Sequence, residues 1–191
     1  MEKLFMVMLG CKPEGRLTEQ HDIFFGIAPS LKALIPEMKA FWPEAKGQIH
    51  IDAWREITQI DGHSISIVKR KDNQQKASPA KRLFFINLGG YKRGEFEEYH
   101  YKVVTVADTR SKAIKTSMNT SFYKHCGFEG ATSHIDDKYG IDVDDIYEIE
   151  DILNEETKSE YAIEITPSKG EQEDDLLHIG YLKLALLEKR P

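Results

Sequence analysis

The seven residues Leu4-Phe5-Met6-Val7-Met8-Leu9-Gly10 return as Leu83-Phe84-Phe85-Ile86-Asn87-Leu88-Gly89, and the likeness continues in the same register. At an offset of 79 (83 minus 4), Gly15, Glu19, His21 and Ala28 fall on Gly94, Glu98, His100 and Ala107. A further triplet, His50-Ile51-Asp52, reappears as His134-Ile135-Asp136 at an offset of 84, so the second copy has gained residues in between. The pattern reads as a tandem duplication. It predicts that whatever unit the first copy folds into, the second folds into again.

Each copy opens with an apolar run that suits a buried strand, Leu4 to Leu9 and Leu83 to Leu88, followed by a glycine-bounded loop that turns the chain. His21, Ile23, Phe25 and Ile27 then alternate with Asp22, Phe24 and Gly26, and Lys102, Val104 and Val106 alternate with Tyr101, Val103 and Thr105. A period of two specifies a strand, so each copy is expected to begin with a hairpin. A helix follows. In the second copy Asp108 or Thr109 can cap it, Ile114, Met118 and Phe122 lie four apart on one stripe, and Gly127 can end it. In the first copy Leu31, Leu34, Ile35, Met38 and Phe41 keep helical spacing, but Pro36 has no amide to continue the ladder, so a kink or two short helices are expected between Pro29 and Pro43. Gln48 to Ile57 and Ser64 to Val68 read as strands around the turn Asp61-Gly62, with His134 to Ile141 and Ile146 to Ile152 as their counterparts.

The reading is therefore an α+β fold, with two tandem strand-strand-helix-strand-strand repeats on antiparallel sheets. The boundaries are 1–70 for the first repeat, 71–82 for a polar linker and 83–152 for the second repeat. Residues 153–191 form an acidic extension, in which the alternation of Tyr161, Ile163 and Ile165 and the apolar run Leu176 to Leu184 suggest a C-terminal β-hairpin.

Charge is uneven. Residues 1–128 hold 20 Lys or Arg against 14 Asp or Glu, a net of +6, whereas residues 129–191 hold 6 against 18, a net of −12. An acidic C-terminal third repels nucleic acid and phospholipid. The basic stretch around Lys69, Arg70, Lys71, Lys76, Lys81 and Arg82 lacks aromatic residues for base stacking and reads as a solvated linker. No apolar run is long enough for a signal peptide core or a membrane span, so a cytoplasmic location is expected. Cys11 and Cys126 do not occupy matching positions and have no metal-ligand spacing; both read as reduced thiols.

The loops Gly10 to Gly15 and Gly89 to Gly94 have the glycine spacing of a phosphate loop. Arg16-Leu17 and Glu95-Phe96 follow instead of Lys and Ser or Thr, and a strand follows instead of a helix, so a nucleotide site is not expected there. The more informative candidates are His21 and His100, each two residues after a glutamate, Glu19 and Glu98. On a strand, positions two apart share a face, so each carboxylate is placed to hold its imidazole, while a purely structural role at a strand end explains the same pattern. His50, Asp52, His134 and Asp136 likewise share strand faces in pairs. They would suit a divalent metal only if the copies brought them together, and solvated strand faces explain them too, so neither a metal nor another cofactor is expected.

The strings Glu19-Gln20-His21-Asp22, Lys39-Ala40-Phe41-Trp42-Pro43, His50-Ile51-Asp52-Ala53-Trp54-Arg55-Glu56, Phe122-Tyr123-Lys124-His125 and His134-Ile135-Asp136-Asp137-Lys138-Tyr139-Gly140 resemble a bacterial family catalogued as domain of unknown function 1543. The resemblance covers most of residues 1–152. It implies a bacterial cytoplasmic protein and carries over neither an activity nor catalytic residues. The functional expectation is a non-catalytic protein that binds a small molecule or a protein partner, and not nucleic acid or membrane, with homo-oligomerisation left open. The alternative is a hydrolase or isomerase using His21 and His100 as acid and base, with Glu19 and Glu98 orienting them.

Overall fold

Leu4 to Leu9 lies within β1 (Lys3–Cys11), where Phe5, Val7, Leu9 and Cys11 point to one face and are nearly inaccessible to solvent. β2 (Gln20–Ala28) pairs with it antiparallel from Lys3↔Ala28 to Cys11↔Gln20, and Gly15, at φ 80°, turns the chain between them. The computed structural model describes residues 1–70, 80–91, 94–118, 143–170 and 173–189. After β2 the chain makes a 3-10 turn at Leu31–Leu34, where Ser30 Oγ accepts the Ala33 amide at 3.4 Å, and enters α1 (Ile35–Phe41). Pro36 sits in the first turn of α1, where its missing amide is not needed, so the two short helices expected from the sequence form. Leu34 and Met38 drive this packing. Both are fully buried on the face of β1 that carries Phe5, Val7 and Leu9, and each such burial contributes about 1.5–3 kcal/mol.

β3 (His50–Glu56) runs antiparallel to β1 on the side away from β2. Its pairing is Gly10↔His50 and Leu9↔Ile51, then Met8↔Ala53, so Asp52 is an extra residue at a bulge. β4 (Gln59–Ile60) and β5 (His63–Lys69) form a tight hairpin through Asp61 and Gly62, at φ 50° and 71°. A two-residue turn with both central residues left-handed is what an Asp-Gly pair accommodates.

Residues Asn73–Ile152 make a separate compact unit. β6 (Arg82–Tyr91) pairs with β7 (Glu98–Ala107) from Arg82↔Ala107 to Tyr91↔Glu98, in the same register as β1 with β2. α2 (Arg110–Ser117) is capped by Thr109, whose hydroxyl accepts the Lys112 amide at 3.3 Å, and Ala113 packs against Phe84, Ile86 and Leu88. The expected continuation of this helix through Phe122 to Gly127, and the expected strand His134–Ile141, lie outside the described residues. The strand beside β6 is β8 (Val143–Glu148), in the order β7-β6-β8. Its pairing, Leu88↔Val143 then Asn87↔Asp145, leaves Asp144 at the bulge position that Asp52 holds in β3. The positional counterpart of Ile51 is thus Val143, 92 residues on (143 minus 51). The expected strand Ile146–Ile152 is corrected, because it turns into a helix, α3 (Ile149–Ile152). Ile149 and Leu153 are both buried and lie four apart, which is helical spacing.

The chain then returns to the first unit, which comprises Met1–Asp72 and Leu153–Pro191. α4 (Glu155–Glu160) is capped by Asn154 Oδ1, which accepts the Thr157 amide at 2.7 Å. It is followed by β9 (Tyr161–Pro167), β10 (His178–Lys183) and α5 (Leu184–Glu188), which adds Leu184 and Leu187 to the core beneath β1. The expected C-terminal hairpin does not form. β9 pairs with β5 along its whole length, completing a sheet of order β4-β5-β9, while β10 pairs with β3, giving the order β10-β3-β1-β2. Alternation specifies a strand but not its partner, and the long connection between β9 and β10 lets them part. Antiparallel sheets with short helices make an α+β fold. Among the described residues no helix is long and apolar enough to cross a membrane.

Candidate functional site

Gly10 stands between two histidines: it is paired with His21 of β2 on one side and with His50 of β3 on the other. Directly opposed residues share a face, so all three belong to the face of β1 opposite Leu9 and Cys11. A glycine is needed there. A Cβ at residue 10 would run into His50 Nε2 and Asp52 Oδ2, and would lie 2.9 Å from His50 Cε1. The space left by the missing side chain is where the imidazole of His50 and the carboxylate of Asp52 come to rest, the latter delivered by the bulge in β3.

Four ionisable groups converge at this point. His50 Nε2 lies 2.9 Å from Glu19 Oε1 and 3.2 Å from Asp52 Oδ2, and His21 Nε2 lies 3.3 Å from the same Asp52 oxygen. The side chains of His50 and Asp52 are 9% and 21% exposed, those of His21 and Glu19 42% and 44%, so the cluster has a buried floor and an open rim. His50 Nε2 and Asp52 Oδ2 are both buried and neither has a hydrogen bond of acceptable geometry. The short separations are therefore close approaches without an aligned proton between them. The Tyr181 ring covers His50 from β10, with centroids 4.4 Å apart.

The structure re-pairs the candidates read from the sequence. Glu19 was expected to hold His21, but it meets His50, and His21 meets Asp52. Glu19 precedes the first residue of β2, so the rule that strand positions two apart share a face does not apply to it. His100 is paired with Gly89 as His21 is with Gly10, and the Asn87 amide nitrogen donates to its Nδ1 at 3.3 Å. Glu98 begins β7 and is exposed. His134 and Asp136, which would have to meet His50 and Asp52 to suit a metal, lie outside the described residues. Sequence reasoning also missed Gly10 and Tyr181. The first had a signal, a glycine ending an apolar strand whose neighbours each carry a histidine; the second had none.

Cys11 follows Gly10 but points to the opposite face, into the core under α1, and is a free thiol. Burial pushes its pKa up, and the negative charge of Glu19 adds to the effect. A thiol held protonated in this way is a poor nucleophile.

Fold and cluster together define an α+β protein whose first unit carries a polar site built from two imidazoles and two carboxylates over a glycine. Residues 16–67 match the family described as Domain of Unknown Function (DUF1543), the family that the sequence resembles, and this stretch contains Glu19, His21, His50 and Asp52. The crystal structure of a protein Il1583 from Idiomarina loihiensis shares the fold, with a TM-score of 0.64 over 96% of this chain and 99% of that one, at 22% identity. At that identity the likeness extends to the fold alone. No curated protein matches the chain.

Proposed function

We propose that the chain is a non-catalytic binding protein whose ligand site is the Glu19, His21, His50 and Asp52 cluster of the first unit. One observation carries this reading. Side chains from two separate stretches of the sequence, 19–21 and 50–52, gather over the only position in β1 without a side chain, and two of their polar atoms, His50 Nε2 and Asp52 Oδ2, are buried without a hydrogen bond. Buried polar atoms placed in this way are ones that a bound ligand can satisfy. The enzyme alternative, with Glu19 orienting His21 as acid or base, loses support because Glu19 approaches His50.

The partner on this reading is a small molecule, or else a protein, and not nucleic acid or membrane, on the charge distribution already described. A cytoplasmic, bacterial protein is the corresponding reading of origin, supported by the family resemblance and by the free thiol of Cys11. Internal duplication is supported by three correspondences. The registers of β1 with β2 and β6 with β7 match residue for residue, Phe5, Val7 and Leu9 are buried in the first unit as their counterparts Phe84, Ile86 and Leu88 are in the second, and both third strands carry a bulge at the same place.

A thermal-shift screen over metabolites and cations tests the site. A ligand that raises the melting temperature of the wild type and does nothing for His50→Gln is the expected result, since binding to the folded state alone stabilises by mass action. Stabilisation by every hit that survives unchanged in His50→Gln would sink the assignment.

A further inference from the structure

We propose that two copies of this chain associate through the outer edge of β10, strand beside strand and antiparallel, about a two-fold axis at Ile179. β10 ends the sheet β10-β3-β1-β2, and among the described residues no strand pairs with its other side. Natural proteins guard such an edge with charged side chains or proline. β10 has neither before Lys183 at its end. Leu176, Leu177, Ile179 and Tyr181 are instead 71%, 60%, 81% and 62% exposed, and no other stretch of the described residues exposes large apolar side chains so densely. A row of this kind marks a contact surface.

The order of the side chains decides what covers it. Ile179, Tyr181 and Lys183 alternate along β10 and so share a face, while His178 stacks on Trp54 with ring centroids 3.8 Å apart and Leu182 packs against the core. The inward pair holds the strand to its own unit and leaves the other row uncovered. Leu177 and Asp175 precede the strand and join that row once a partner strand pairs beside them. The row then reads acid, three apolar residues, base, and turned about Ile179 it is its own complement. Ile179 meets Ile179, Leu177 meets Tyr181, and Asp175 stands opposite Lys183 at both ends. A parallel pairing in register would set Asp175 against Asp175 and Lys183 against Lys183, which is repulsive. Gly180, at φ 137°, has no atom within 4 Å of an added Cβ, so the second backbone can approach closely beside the axis. Tyr181 also covers His50, so the contact borders the ligand site, but it uses none of the four ionisable groups and does not depend on that reading. A strand edge of this length makes a small interface, below about 1,200 Å² in total, and association at that size is reversible.

The test is sedimentation velocity on the full chain over a concentration series, with circular dichroism as the check on folding. The wild type should pass from monomer to dimer as concentration rises. Ile179→Lys sets two ammonium groups against each other at the axis and should weaken association about a hundredfold, and Lys183→Glu, which brings Glu against Asp175, about tenfold. Directly opposed residues of an antiparallel pair stand about 4.5–5.5 Å apart at Cα, within reach of a disulfide, so Ile179→Cys should cross-link two copies under mild oxidation. Leu17→Cys, equally exposed on the loop between β1 and β2, should not. A wild type that stays monomeric throughout leaves the edge to a different protein and overturns the proposal, as does a dimer that Ile179→Lys leaves intact. If Ile179→Lys fails to fold, the cross-link decides: Ile179→Cys giving no more disulfide dimer than Leu17→Cys overturns the two-fold pairing.

Discussion

Both carboxylate oxygens of Asp175 close on Thr58, whose amide donates to each at 3.1 Å and whose hydroxyl donates to Oδ1 at 2.6 Å. The contact ties the C-terminal segment to the bend between β3 and β4, and no local pattern near either residue announces it. Hydrogen bonds to a charged acceptor are worth about 1.5–3 kcal/mol, so Asp175→Ala should lose stability in that range. Asp175→Asn, which keeps one acceptor oxygen, should lose less. Urea denaturation of the three proteins reads the order, and an alanine variant as stable as the wild type would contradict it.

Gly10→Ala should be more damaging than a surface glycine substitution, because its methyl group meets the His50 ring and the Asp52 carboxylate. Overpacking of this kind costs about 1–3 kcal/mol. Gly47→Ala is a useful contrast: its φ of 74° brings strain, but no atom lies within 4 Å of the added carbon. Chemical denaturation gives the stabilities, and binding at the cluster should be lost only in the residue 10 variant.

Cys11 should resist alkylation in the folded protein. Its pKa is raised chiefly by burial, so the folded state binds the thiol proton more tightly than the unfolded chain does. The sign follows: this group favours folding below the ordinary thiol pKa and its contribution is lost as pH rises through the raised value. Iodoacetamide labelling of Cys11, followed by mass spectrometry, should be far slower in buffer than in urea. Equal rates would show that the strand end opens readily.

Glu37 of α1 is also shifted upward. Burial is the main cause, the hydrogen bond from Asn154 works against it, and Glu156 reinforces it. A carboxyl with a raised pKa favours the folded state below the ordinary carboxylate range and disfavours it as pH rises through the raised value. Glu37→Gln, which still accepts from Asn154, should therefore gain melting temperature relative to the wild type at pH 7 and gain less at pH 4. The reverse order would mean that the Asn154 contact outweighs burial.

How much was legible in the sequence depends on how local the cause is. Apolar runs placed β1 and β6, alternation placed β2 and β7, Pro36 split the first helix, and Asp61-Gly62 set a hairpin, because each effect acts within a few residues of its source. The pairing of Glu19 with His50 was not legible. It depends on β3 lying beside β1 in one register, on a bulge that pushes Asp52 over Gly10, and on Glu19 sitting just outside its strand. The partners of β9 and β10 were hidden for a similar reason, since a strand of Tyr161, Ile163 and Ile165 suits any open edge with an apolar face.

The first unit is assembled from both ends of the chain, and this fixes an order of events during synthesis. When β1, β2, β3 and β5 have left the ribosome, the outer edges of β3 and β5 have no strands to cover them until residues 161–183 are made. The whole of Asn73–Ile152 emerges in between, with β6, β7 and β8 able to pair among themselves. The second unit is thus the first that can be finished, and the nascent first unit waits with two exposed strand edges, the kind of surface that joins to other chains.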